Sequence, residues 1–316
     1  MKLLFISPRY SGGIGGHANI LATKLREYGY EVDIMKVPHI PIKNLKNPSF
    51  AILSSFKVML TRSSYDIIHA FNLPSAFAMK FAKGKKKILS LYGVYQDQMS
   101  ILHSKSVSSI VKNVEPKIIK WADAITTDSK ATQKRYKELL GVHVDYLPTA
   151  IDTKKFQNIP KVEKKEGQIA YIGRDSFEKG TDILRKAESK IEGKIVYCTN
   201  LPWEDAMTVL KSSQLMVVPS RMESSPTTIK ESFFLKVPVV ATNVGGIPEL
   251  IENGKTGILI LPEDPLLLAK TVNELLNDKK RQKTLTDAAY DLIIKNMTWN
   301  DVLPMYVNYY ENMLNS

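Results

Sequence analysis

The amino-acid sequence predicts an α/β protein of two doubly wound domains that face each other across a cleft. Three observations support this: a length of 316 residues, short apolar runs alternating with amphipathic stretches, and a polar segment that interrupts this alternation near the middle. At ~100–200 residues per domain, the length indicates two domains. Strands that alternate with helices are typical of parallel sheets, and such sheets bind ligands at the carboxyl ends of their strands.

Six apolar runs in the first half predict six strands with helices between them. The runs are Lys2–Ser7, Glu31–Val37, Asp66–Phe71, Lys87–Tyr92, Ala124–Thr127 and Asp145–Leu147. The stretch after Gly16 carries apolar residues at helical spacing. We expect this helix to end at Gly29, because a glycine after the last turn accepts the left-handed conformation.

The second half repeats the alternation and predicts five more strands. They are Gln168–Ile172, Lys194–Thr199, Leu215–Pro219, Pro238–Thr242 and Gly257–Leu261. The segment Thr153–Gly167 is rich in Lys, Asn and Glu, and it is interpreted as the linker between the two domains.

The composition excludes several classes of protein. A single cysteine, Cys198, excludes an internal disulfide framework and a cysteine metal cluster. No apolar run reaches the ~18 residues that span a bilayer. The apolar start is short and is interrupted by Pro8 and Arg9, so it is interpreted as a first strand rather than a signal peptide. A cytoplasmic protein is therefore expected.

The positive charge is confined to the first half. Residues 1–150 hold 22 Lys and Arg against 10 Asp and Glu, whereas residues 151–316 hold 22 of each, so the net charge of +12 belongs to the first half. Such asymmetry indicates an anionic partner for the first domain: nucleic acid, an anionic membrane surface or a phosphorylated substrate. The alternative is that surface lysines simply maintain solubility.

A glycine-rich turn follows the first predicted strand. It reads Ser11-Gly12-Gly13-Ile14-Gly15-Gly16-His17-Ala18 and opens the first helix. Glycines there allow close backbone approach to a phosphate or sugar, and a helix N-terminus favours an anion. The turn also fits a dinucleotide fingerprint, but the acidic residue that would bind the ribose is missing after the second strand. A turn without a ligand is the alternative.

Two segments of the second half place charged residues at strand-to-helix junctions. In the first, Arg174 and Lys179 flank the turn that begins at Gly173, where a guanidinium and an ammonium can hold a diphosphate. In the second, Glu223 precedes a predicted helix and Glu231 lies inside it, so that the two carboxylates can hold hydroxyls at opposite ends of one ligand. Surface ion pairs and a solvated helix face are the alternatives.

The start of that helix is a candidate anion site. Ser225 suits the N-cap and Pro226 the first turn. Free N–H groups at Thr227 and Thr228 would then face phosphate oxygens. A further glycine turn, Asn243–Gly246, follows the next strand, and its plain interpretation is an ordinary connection.

Together these segments resemble the retaining glycosyltransferases of the GT-B fold, glycosyltransferase family 4, over nearly the whole chain. The matching motifs are the Gly12-Gly13 loop, Gly29-Tyr30-Glu31-Val32, Asp66–Ala70, Ala122-Asp123 with Ser129, Leu147-Pro148 with Ile151-Asp152, Gly173-Arg174 with Lys179-Gly180, the Glu223 and Glu231 pair, Gly245–Glu249, and Trp299 with the last helix. Where the family often carries His after the fourth strand, this chain has Tyr92.

The resemblance implies a domain plan and a set of roles. Residues 1–149 would bind the acceptor, 150–296 the nucleotide-sugar donor, and 297–316 would cross back to the first domain. Arg174 and Lys179 would hold the donor diphosphate, Glu231 the ribose, and Glu223 the sugar that is transferred. Donor-binding backbone is expected at Gly12, Gly13, Gly173, Ser225, Thr227 and Thr228, and acceptor-side candidates are His17, His69 and Tyr92.

The expected reaction moves a hexose to an acceptor with retention of anomeric configuration. No Asp-x-Asp motif occurs, so protein cations are expected to stabilise the leaving group without a metal or other cofactor. Clustered lysines beside apolar residues in the first half favour a lipid-linked or anionic acceptor glycan and peripheral attachment to an anionic membrane. No nucleic-acid motif occurs. A non-catalytic sugar-nucleotide sensor is the main alternative, with an epimerase or a phosphorylase as further ones.

Overall fold

The chain forms two α/β units. The structure is a computed structural model that describes residues 1–7, 13–35, 42, 46–102 and 105–316. The first unit is Met1–Thr149 together with Trp299–Ser316, and the second is Ala150–Thr298. Each unit contains one parallel sheet with helices between its strands, which confirms the predicted α/β class.

The first sheet has six parallel strands in the order β2-β1-β3-β4-β5-β6. They are β1 (Lys2–Ile6), β2 (Glu31–Met35), β3 (Tyr65–Ala70), β4 (Gly84–Ser90), β5 (Ala124–Thr127) and β6 (Asp145–Tyr146). Leu3 to Ile6 are buried in succession, as expected for a strand covered on both faces. All six predicted strands are present, and β4 starts three residues earlier than predicted.

Seven helices accompany this sheet within the described residues. They are α1 (Gly13–Tyr28), α2 (Lys46–Met59), α3 (Ser75–Phe81), α4 (Tyr95–Leu102), α5 (Lys105–Ile119), α6 (Lys130–Leu140) and, from the end of the chain, α13 (Trp299–Asn315). Gly29 follows α1 at a φ of 110°, as the sequence predicted. None of the described helices is long and apolar enough to cross a bilayer.

The second sheet has five parallel strands in the order β11-β10-β9-β7-β8. They are β7 (Lys165–Ile172), β8 (Lys194–Cys198), β9 (Ser213–Val218), β10 (Val239–Thr242) and β11 (Ile258–Ile260). Its helices are α7 (Thr181–Glu188), α8 (Trp203–Ser212), α9 (Thr227–Phe234), α10 (Ile247–Leu250), α11 (Pro265–Leu276) and α12 (Lys279–Asn296). All five predicted strands are present.

The linker prediction for Thr153–Gly167 is wrong. Thr153–Asn158 forms a 3₁₀ helix, and Lys165–Gly167 already belongs to β7. Phe156 is buried and its ring contacts Trp203 and Phe234 at centroid distances of 5.1 and 4.6 Å. The buried Phe156 ring therefore holds this polar segment against the rest of the second unit.

Candidate active site

Three loops of the second unit follow neighbouring strands and therefore lie at one edge of its sheet. The turn Gly173–Gly180 follows β7, the loop Pro219–Pro226 follows β9, and the turn Asn243–Gly246 follows β10. Because these strands are parallel neighbours, their carboxyl ends lie side by side. The three segments that the sequence marked as strand-to-helix junctions are thus brought together.

The centre of this edge is an ion pair between Lys179 and Glu223. The Nζ of Lys179 donates to Oε1 of Glu223 at 2.7 Å, and the hydroxyl of Ser220 donates to the same oxygen at 2.8 Å. The Glu223 side chain is 9% exposed and that of Lys179 is 23% exposed. The sequence indicated both residues but not that they touch, and it did not single out Ser220.

Two glycines bring the loops close enough for this pair. A Cβ on Gly180 would lie 1.9 Å from the carbonyl oxygen of Pro219, and one on Gly245 would lie 1.9 Å from that of Glu223. Both glycines have positive φ, 67° and 53°. The N–H of Gly246 also donates to the Glu223 carbonyl at 3.2 Å. The glycine turn after β10 is thus a support for Glu223 rather than an ordinary connection.

Arg221 braces the same loop and was missed by sequence analysis. Its guanidinium forms ion pairs with Asp182 at 2.6 Å and with Glu263, and it lies 3.7 Å from the centre of the Phe177 ring. Its backbone N–H donates to the carbonyl of Glu178 at 2.9 Å. Hydrogen bonds to the two carboxylates raise the pKa of Arg221 above its ordinary value. A single Arg in a loop carries no sequence signal for such partners.

Arg174 lies at the exposed side of the turn that follows β7. Its side chain is 72% exposed and pairs with Glu178 at 3.0 Å. The hydroxyl of Tyr171 donates to the Arg174 carbonyl at 2.6 Å and lies under Gly173, where an added Cβ would be 3.0 Å away. The Arg174 guanidinium is therefore exposed, whereas its backbone carbonyl is held by the Tyr171 hydroxyl.

Glu231 is held inside the second unit by an indole. It is half-buried on α9 and accepts a hydrogen bond from Nε1 of Trp203 at 2.8 Å. Lys155 lies over the Trp203 ring, 5.4 Å from its centre. Burial raises the pKa of the Glu231 carboxyl, and the hydrogen bond from Trp203 opposes that rise. The solvated helix face that the sequence left open is thus excluded.

The N-cap of α9 differs from the prediction. Pro226, not Ser225, occupies the cap, and its side chain makes no capping hydrogen bond. Thr227 and Thr228 are the first two residues of the helix and are half-buried. The prediction of Ser225 as N-cap is wrong because the backbone turns into the helix one residue later.

The acceptor-side candidates lie in the first unit, in an aromatic cluster. His17 is buried, shares a hydrogen bond with the Tyr306 hydroxyl at 3.1 Å and stacks on Trp299 at 5.7 Å. Tyr92 lies 6.1 Å from the His17 ring, and within the described part of the chain its buried hydroxyl has no hydrogen-bond partner. Gly13 begins α1 at a φ of 54°, whereas Gly12 lies outside the described residues.

His69 is fully buried, with both ring nitrogens in hydrogen bonds. Nδ1 shares one with the Tyr310 hydroxyl at 2.8 Å, and Nε2 shares one with Ser90 at 2.6 Å. Burial lowers the pKa of His69 to about 3. This neutral, saturated side chain stabilises the contact between β3 and α13, and it offers nothing to an acceptor.

No group of three His, Cys, Asp or Glu side chains that could hold a metal ion occurs in the residues the structure describes. The cations at the candidate site are those of the chain itself: Lys179, Arg174 and, beside Glu231, Lys155. They can stabilise negative charge that develops on a leaving phosphate.

Comparison with known proteins identifies the family. A family model described as Glycosyltransferase Family 4 matches residues 11–155, and one described as Glycosyl transferases group 1 matches residues 183–292, together about four-fifths of the chain. An uncharacterized glycosyltransferase of Methanocaldococcus jannaschii is 21% identical, with 98% of both chains covered.

Solved structures show the same fold. Sucrose-phosphate synthase from Thermosynechococcus elongatus superposes with a TM-score of 0.82 at 16% identity, covering 100% of both chains. HepE of Anabaena, solved with UDP and glucose, superposes with a TM-score of 0.74 at 16% identity, covering 99% of this chain and 100% of HepE. HepE has also been solved with UDP-glucose. The chain is thus a member of glycosyltransferase family 4, a retaining glycosyltransferase of the GT-B fold that uses nucleotide-sugar donors.

Proposed function

We propose that this enzyme transfers a hexose from a nucleotide-diphosphate sugar to a lipid-linked or otherwise anionic acceptor, without a metal ion. The observation that carries the donor half is the pair of Lys179 and Glu223, held by Ser220 and two tight glycine contacts at the edge of the second sheet. The basic first half carries the acceptor half of the proposal.

Lys179 and Arg174 would bind the donor diphosphate. Lys179 supplies a half-buried ammonium beside the strand ends, and Arg174 an exposed guanidinium that can fold over the phosphates. The N–H groups at Thr227 and Thr228, in the first turn of α9, together with the backbone near Gly173 and Ser225, would add donors to phosphate oxygens. HepE, which has the same fold, was solved in complex with UDP and glucose, and this supports a nucleotide diphosphate as a ligand.

Glu223 and Glu231 would bind the two ends of the donor. Both hydrogen bonds to Glu223 end on Oε1, so Oε2 can accept from a hydroxyl of the sugar. Glu231, which is fixed by Trp203, can accept from ribose hydroxyls. Carboxylates that take several sugar hydroxyls give orientation as well as affinity.

Catalysis in this proposal is electrostatic. As the bond between the anomeric carbon and the phosphate oxygen breaks, negative charge grows on the diphosphate and positive charge on the sugar. The ammonium of Lys179 stabilises the negative charge on the diphosphate, and the Glu223 carboxylate beside it lies near the positive charge on the sugar. We expect Lys179→Ala to lower kcat/KM about 100-fold or more and Lys190→Ala, an exposed lysine of the same unit, to leave it unchanged.

The donor test is a melting screen with UDP-, GDP- and ADP-glucose, with and without EDTA. Because HepE binds UDP-glucose, we expect this sugar nucleotide to raise the melting temperature most. We also expect the enzyme to hydrolyse it slowly without acceptor, and both effects to persist in EDTA. Stabilisation without any hydrolysis would favour a sugar-nucleotide sensor. Mn²⁺ stimulation abolished by EDTA would contradict metal independence.

The acceptor side would use His17 and Tyr92 in the first unit. The Tyr92 hydroxyl is buried without a partner in the described part of the chain, and His17 lies beside it. A hydroxyl group of an acceptor can satisfy the Tyr92 hydroxyl. Peripheral attachment to an anionic membrane would bring such an acceptor to the enzyme.

A further inference from the structure

The first unit carries an apolar groove between α2 and α5. Its cavity volume is about 540 Å³, and its walls include Ile52 and Phe56 of α2 and Ile110 and Val114 of α5. Phe77 of α3, a helix that packs against both, also lines it. A cavity of this size falls in the range of ligand pockets, ~300–1,000 Å³.

Several apolar side chains of this groove are far more exposed than the side chains of a hydrophobic core. Phe56 is 63% exposed, Ile110 62% and Ile52 57%, while Leu53 and Met59 of α2 are also exposed. Scattered exposed apolar residues are ordinary, but a contiguous patch marks a binding surface. The groove therefore has the character of a surface that is covered by an apolar partner.

Two polar side chains that line the groove make their hydrogen bonds within the protein. Ser55 donates to the Ala51 carbonyl at 2.7 Å, and Glu115, which is fully buried, accepts from the Tyr136 hydroxyl at 2.6 Å. The groove wall is thus suited to hydrocarbon rather than to a sugar or a peptide backbone.

The helices that line the groove belong to positively charged segments of the chain. Segments 46–62, 75–87 and 105–120 hold twelve Lys and Arg and one acidic residue, the buried Glu115. Exposed cations stand on or beside the three helices: Lys57, Arg62, Lys80, Lys112, Lys117 and Lys120. Lys57, Lys80 and Lys117 stand in the last turns of α2, α3 and α5, and an apolar groove with cations at one end matches a lipid with an anionic headgroup.

One end of the groove reaches the carboxyl edge of the first sheet. Leu73 and Pro74 follow β3, Tyr95 follows β4, and Asn47 lies in the first turn of α2, which follows β2. This is the edge at which parallel α/β sheets bind ligands. The lysines stand at the other end of the groove, because the last turns of α2, α3 and α5 lead to the amino ends of β3, β4 and β5. A chain with its headgroup at these lysines would therefore extend along the groove towards the carboxyl edge.

We propose that the groove between α2 and α5 binds the hydrocarbon chain of a lipid with a phosphate headgroup. The lipid site stands on the groove and on the cations at one end of it, and it does not depend on the proposed transfer reaction. The chain lies along Ile52, Phe56 and Ile110, and the phosphate meets the lysines in the last turns of the helices.

The test uses dodecyl phosphate below its micelle concentration, with binding measured by calorimetry on the full chain. The variant Phe56→Ser/Ile110→Ser removes two exposed apolar side chains without changing charge, and Leu261→Ser is its control, since Leu261 is 68% exposed in the second unit. We expect the double variant to bind at least tenfold more weakly and the control to bind like the wild type. Lys112→Gln/Lys117→Gln should weaken binding severalfold and reduce its salt dependence.

Several results would overturn the proposal. One is that the double variant binds dodecyl phosphate as tightly as the wild type. Another is that inorganic phosphate displaces dodecyl phosphate at a similar concentration. A third is a concentration-dependent dimer that the double variant abolishes, which would make a second copy the occupant. The melting shift with UDP-glucose is measured on every variant. If dodecyl phosphate binds and UDP-glucose does not, the proposed function fails while the groove stands; the reverse result removes the groove alone.

Discussion

At the residue scale, the two carboxylates of the second unit have different environments. Glu223 pairs with Lys179 at the strand ends, whereas Glu231 is fixed by the indole of Trp203. Their spacing in the sequence predicted that both would face one ligand, but spacing cannot indicate which group each one contacts. Ser220 and Arg221 were missed for the same reason, because their partners come from distant parts of the chain.

These environments give distinguishable effects of substitution. We expect Glu231→Ala to weaken the binding of both UDP and UDP-glucose about tenfold, because a ribose contact is common to both ligands. Glu223→Gln keeps the shape of the side chain but loses its charge, so it should weaken the binding of UDP-glucose and leave the binding of UDP unchanged. Calorimetry with both ligands checks this, and equal effects of Glu223→Gln on the two would contradict its contact with the sugar.

At the element scale, periodicity predicted the strands well and the segments between them less well. All eleven strands were predicted, and central strands such as β1 and β9 are the continuous apolar runs that buried parallel strands require. The linker was misjudged because one buried ring, Phe156, outweighs many polar neighbours. The cap of α9 was misjudged by one residue because cap preference is a weak local signal, which tertiary contacts overrule.

The turn after β10 gives a prediction at this scale. An added Cβ on Gly245 would meet the Glu223 carbonyl, so Gly245→Ala must displace the loop that carries Glu223. We expect at least a tenfold loss in kcat/KM. Gly254→Ala is the matched control, because Gly254 also has positive φ, 77°, but nothing lies within 4 Å of its Cβ position.

Both substitutions put alanine in the left-handed region, at a cost of about 1 kcal/mol in the free energy of unfolding. The control should therefore lose stability but keep its activity. If the two variants lose activity equally, backbone strain rather than displacement of Glu223 would explain the loss.

At the scale of the whole molecule, the chain returns to its first unit at the end. α13 belongs with residues 1–149, and its Tyr306 and Tyr310 share hydrogen bonds with His17 and His69. The sequence resemblance implied a last helix that crosses back, but not the buried histidines that it meets. Their polarity is tolerated in the core only because each has a partner.

His69 makes the stability of the first unit depend on pH. Its pKa is about 3 in the folded chain and ~6.5 when unfolded, so between these values only the unfolded chain takes up the proton. Its contribution to stability is present above pH 6.5 and is lost as the pH falls toward 3. From pH 7 to pH 5 this one group should remove about 2 kcal/mol from the free energy of unfolding. His69→Gln, which has no charge to gain, should lose that much less over the same interval. Urea unfolding at both pH values measures the difference, and identical losses in the two proteins would show that other groups govern the acid sensitivity.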